Sequence, residues 1–97
     1  PPRFWGHLAR AHYTAKRYAD AISATGHIES PDMLQLAFLA ASHAEVDDHA
    51  QAEHCVALAM RENADLTINN LMTLQHYARE EDTQHFRDGL LKAGFTD

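Results

Sequence analysis

The spacing Trp5-x2-Leu8-Ala9-x2-His12 returns after a shift of 31 residues as Leu36-x2-Leu39-Ala40-x2-His43. Each copy is followed at the same distances by a second segment with an early alanine: Ala21 after Tyr18, and Ala52 after His49. A weaker third copy, shifted by a further 34 residues, places Leu74, Tyr77 and Phe86 at the corresponding points. A chain that repeats at such distances builds one small supersecondary unit several times over. Because no unit can bury its own apolar side alone, the units must stack.

The unit is helical. β-branched residues are few, alanine and leucine dominate, and the apolar positions recur at helical spacing. The breaks predict helices at about 3–15, 18–28, 32–45, 49–62, 67–79 and 83–93. In "ESPDM", Ser30 is the expected N-cap, with Pro31 at the first helical position. Asp48 with Gln51 forms an expected capping box, and Asp65 or Thr67 caps the next helix. Gly94 provides a left-handed stop. Trp5 to Ile22 therefore reads as two helices turning near Lys16, and Asp47 is its counterpart. Helices this short are marginal alone, and their very short links force consecutive ones antiparallel.

Eight Lys and Arg against fourteen Asp and Glu give a net charge of −6, which disfavours a nucleic-acid or anionic-membrane partner. No apolar run is long enough for a membrane span. Cys55 is the only cysteine, so no disulfide forms within the chain; in its apolar stripe it reads as a small buried hydrophobe. The histidines show no HExxH arrangement, and the adjacent His54 and Cys55 point about 100° apart on a helix, so no metal and no cofactor is expected. His12 and His43 occupy matched positions at the core edge; buried, they would be neutral at pH 7 and destabilise the fold below about pH 6. No catalytic triad or phosphate loop is legible, so the segment is expected to be non-enzymatic.

The pattern of large, then large-small, then large residues on a first helix with an early alanine on the second resembles the tetratricopeptide repeat. Alanines at Ala9 and Ala40 would let the paired helix approach at Ala21 and Ala52. Lys16 and Asp47 stand where that family often has glycine, and Leu74 and Phe86 replace the small residues in a degenerate, capping-type third repeat. The closing "YAREEDTQHFRDGLLKAGFTD", with Phe86, Gly89, Leu90, Lys92, Ala93 and Gly94, is similar to the tail of tetratricopeptide regions in bacterial class III adenylate cyclases and related winged-helix regulators. "SPDMLQLAFLAASHAEVDDHAQAE" is similar to the middle repeat of those proteins.

The resemblance implies an all-α, right-handed α-solenoid of three antiparallel helix hairpins, with repeats at about 2–31, 32–65 and 66–94. It implies one domain over 1–97 that is a C-terminal piece of a larger cytoplasmic protein, attached to a cyclase or regulator. Its function would be protein–protein or intramolecular regulatory binding of a peptide, another domain of the parent chain or a second copy. The alternative is homo-oligomerisation that brings catalytic or DNA-binding domains together. The first helices would line a concave groove of Arg3, Arg10, Tyr13, Thr14, Leu34, Ala37, Ala41, Glu45, Ile68, Leu71, Gln75 and Arg79. There Arg10 and Arg79 would hold a carboxylate, while Tyr13 and Leu34 meet an apolar side chain.

Overall fold

A computed structural model describes residues 2–97, all helical apart from short connections. The helices are α1 (Pro2–Thr14), α2 (Tyr18–Thr25), α3 (Met33–Glu45), α4 (His49–Glu62), α5 (Ile68–Leu74) and α6 (Glu80–Ala93). The first four fall close to their expected places. Asp32, rather than Ser30, caps α3: its carboxylate accepts from Gln35 N–H at 2.8 Å, and the Gln35 side chain accepts from Asp32 N–H at 2.9 Å. Asp48 caps α4 through Gln51 N–H, and Thr67 caps α5 in a reciprocal box with Asn70.

The two expected turns have the same geometry. Lys16 and Asp47 adopt left-handed backbone at φ 63° and 62°. Lys16 N–H donates to Tyr13 O and Arg17 N–H to His12 O; Asp47 N–H donates to Ala44 O and Asp48 N–H to His43 O. Each pair of bonds is a Schellman close, which satisfies the last carbonyls of a helix and reverses the chain. The four alanines at the matched points, Ala9, Ala21, Ala40 and Ala52, are all buried. Two hairpins, α1–α2 and α3–α4, therefore form and stack through α2 and α3.

The third unit breaks the series. α5 ends at Leu74 rather than near 79, and Gln75 and Arg79 are extended at φ −125° and −104°. Tyr77, expected on the apolar stripe of α5, lies instead in this connection and reaches α1, where its hydroxyl meets that of Thr14 at 3.1 Å. The strap lets α6 leave α5 and lie mainly on α3. α3 has no charged side chain between Asp32 and Glu45, and it buries Leu36, Ala37, Phe38, Ala40, Ala41, Ser42 and Ala44. A helix apolar nearly all round is stable only when covered nearly all round. It contacts every other helix.

The open solenoid is thereby overturned. The extents are 30 × 28 × 25 Å and the radius of gyration is 11.8 Å, against about 12.5 Å for a compact chain of this length. The protein is a closed six-helix bundle, and the tetratricopeptide and cyclase-regulator architecture expected from the repeat finds no support in it. Among the described residues no helix is long and apolar enough to cross a membrane.

Candidate functional site

The concave face expected between α1 and α3 is filled by the chain's own C-terminal helix. α6 presents Phe86, Gly89, Leu90 and Ala93 at helical spacing, all buried. Phe86 stacks on Phe38 with ring centroids 4.2 Å apart, and His85 stacks on Tyr13 at 4.6 Å. The Tyr13 hydroxyl donates to the His85 carbonyl at 3.2 Å. Gly89 lies so close to Tyr13 that a Cβ there would stand 2.0 Å from the phenolic oxygen and 3.1 Å from Ala41 Cβ. At the far end Lys92 Nζ donates to Glu45 Oε1 at 2.8 Å.

The twelve expected groove residues consequently divide. Tyr13, Ala37, Ala41, Ile68 and Leu71 are core residues with no exposure, which corrects their assignment to an open groove. Glu45 is tied to Lys92. Arg79 borders the same depression as Arg10 but pairs with Glu81 in the first turn of α6. The remaining five border surface clefts, together with Arg79. Signals for the covering of the inner face lay in the uncharged length of α3 and in Gly89, a small residue on the apolar stripe of α6.

Two clefts flank α1. The first, about 390 Å³, lies between α1 and the start of α3. Arg3, His7 and Arg10 edge it from α1, Asp32 and Gln35 from the α3 cap, and Ala9, Leu34 and Phe38 form its apolar side. The second is a broad depression where α1 meets the 75–79 strap, bordered by Arg10, Thr14, Gln75, Tyr77, Arg79 and Asp82. Arg10 belongs to both. Its guanidinium donates to Gln75 Oε1 at 2.8 Å and also reaches His7 Nδ1. Arginine can only donate, so His7 Nδ1 is the acceptor in this contact. Among the described residues no carboxylate is within ion-pair reach of Arg3 or Arg10.

A second polar group sits where α2, α3 and α6 meet. Tyr18 Oη lies 3.2 Å from His85 Nε2. Burial, then hydrogen bonding and charge from Glu45, push the Tyr18 phenol up to about 12. Burial, followed by the Glu45 charge, drives Tyr13 far above the usual phenol value. Burial also acts to raise the Glu45 carboxyl, but hydrogen bonds from Lys92 and Tyr18 outweigh it and leave the net shift downward. Both phenols are thus hydrogen-bond donors at neutral pH, and Glu45 is the anion that organises the group. Burial and then Asp48 raise the Cys55 thiol, which stays protonated. These arrangements hold helices together. Among the described residues no cluster of three or more His, Cys, Asp or Glu side chains could hold a metal ion.

No family model, curated protein or solved structure matches this chain.

Proposed function

We propose that this domain is a non-catalytic helical binding module whose recognition surface is the cleft between α1 and α3. α6 covers the inner face of the bundle, so that face is not offered to a partner. The cleft beside it remains open, with Leu34 half-buried and accessible on its apolar side. The observation that carries the reading is Arg10. It is oriented by Gln75 and His7, stands beside an apolar wall, and has no acid paired with it among the described residues. A guanidinium fixed in this way has already given up most of the side-chain entropy that binding would cost.

Selection of random peptides on the immobilised domain tests the proposal, with Leu34→Glu as the counter-selection. Peptides retained by the native domain and lost on the variant are the expected result. Failure to enrich any peptide sensitive to Leu34→Glu would remove the cleft as a recognition surface.

A further inference from the structure

The ligand class can be named if the cleft is the recognition surface, and the inference rests on that reading. Of the cations in this acidic chain, Arg79, Arg87 and Lys92 have carboxylate partners within the fold. Among the described residues Arg3, Arg10, Lys16, Arg17 and Arg61 have none, and of these Arg3 and Arg10 share one cleft. The acid nearest in that cleft, Asp32, is occupied in capping α3, where the positive end of the helix favours its charge. Arg10 uses donors toward Gln75 and His7, which leaves part of a five-donor fork unused. An aligned guanidinium with spare donors binds carboxylate in charge-assisted, often two-pronged, hydrogen bonds. Beside it, Leu34 and the buried Phe38 supply a wall that a polar ligand alone would leave wet.

We infer that the α1–α3 cleft takes a short acidic peptide segment of another protein, with one apolar side chain against Leu34 and Phe38 and its carboxylates on Arg3 and Arg10. Charge complementarity selects this occupant. The chain as a whole is acidic, at net −6, and the two arginines that share the cleft beside its apolar wall set the register of such a segment.

The test is a heteronuclear NMR titration of the 15N-labelled domain with three capped pentapeptides. All share a central leucine, flanked by aspartate and glutamate, by asparagine and glutamine, or by lysine. Inorganic phosphate is titrated separately. The acidic peptide is expected to shift amides of residues 3–10 and 34–38, to bind at least about tenfold more tightly than the neutral one, and to weaken as salt is raised. Arg10→Gln and Arg3→Gln should each weaken it several-fold. Arg3 is exposed and unpaired, so its variant keeps the fold even if loss of the Gln75 contact loosens the other. Equal binding of the lysine peptide, indifference to both substitutions, or equal perturbation by phosphate alone would overturn the inference. So would concentration-dependent shifts at the same amides without peptide, which would make a second copy the occupant. Peptide selections that enrich cleft binders without acidic residues would sink this inference and leave the binding-module reading standing.

Discussion

Replacement of Gly89 by alanine separates the closed bundle from an open solenoid. On an exposed helix the change is stabilising by about 1 kcal/mol, because alanine loses less backbone entropy on folding. In the bundle the new Cβ would lie 2.0 Å from Tyr13 Oη and 3.2 Å from its Cζ, so one partner must shift by more than an ångström. Tyr13 has no room: it is fully buried, stacked on His85, and edged by Phe38 and Phe86. The shift falls on α6, which carries Phe86 and Leu90, both at 0% exposure. Full burial of one such side chain is worth about 1.5–3 kcal/mol, and overpacking itself costs about 1–3 kcal/mol. Against the propensity gain, the net loss comes to about 2–3 kcal/mol. That corresponds to a fall of roughly 10–20 °C in Tm for a domain of this size. Urea unfolding followed by Trp5 fluorescence and far-ultraviolet circular dichroism measures it. Tyr13→Phe removes the clashing oxygen and should cost about 1 kcal/mol alone, through the bond to His85 O. In the double variant it should recover at least about 1 kcal/mol of the Gly89→Ala loss. A Gly89→Ala protein more stable than the native one would refute the docking of α6 on α1 and α3.

Lys16→Gly should stabilise by about 0.5–1 kcal/mol, because a left-handed lysine costs about 1–2 kcal/mol, partly offset by the freer unfolded chain of glycine; Asp47→Gly should gain less, since aspartate tolerates that conformation better, and both read out in urea midpoints. Asp32→Ala should cost about 1 kcal/mol by loss of the α3 cap, measured the same way. His43, whose Nδ1 is buried without a hydrogen-bond partner, is held below the usual histidine value by burial, which outweighs the opposing pull of Asp48. The folded state thus favours the neutral ring, and its contribution is present above the ordinary value near 6.5 and lost as pH falls below it. Melts from pH 8 to 5 should show a shallower acid loss in His43→Gln than in the native protein.

Local structure was legible residue by residue. The matched spacings around Ala9 and Ala40, the cap at Asp48 and the breaks at Lys16 and Asp47 depend on a few neighbouring residues, and the helices and hairpins they predict are those observed. The register that turns Arg3, Arg10 and Leu34 toward a groove, and leaves them bordering the α1–α3 cleft, also turns Tyr13, Ala37 and Ala41 there, and these are buried. The shift of the α3 cap from Ser30 to Asp32 was a choice between two competent residues that the reciprocal bond to Gln35 decides. The end of α5 was read too far, because Tyr77 continues the apolar spacing while its side chain serves a contact with Thr14, distant in the chain.

The burial of Tyr13, Ala37 and Ala41 depended on where α6 would go. A helical stripe states only that some face must be covered; it does not name the cover. By itself the sequence determined six short helices, two hairpins of one design and an acidic surface with few cations. Only the tertiary structure decided that the third unit opens out and closes over α3. Covering an uncharged helix removes apolar surface from water, and the connection at 75–79 carries α6 to where it can supply that cover. The same closure moved the available surface from the inner face to the edge where Arg10 stands.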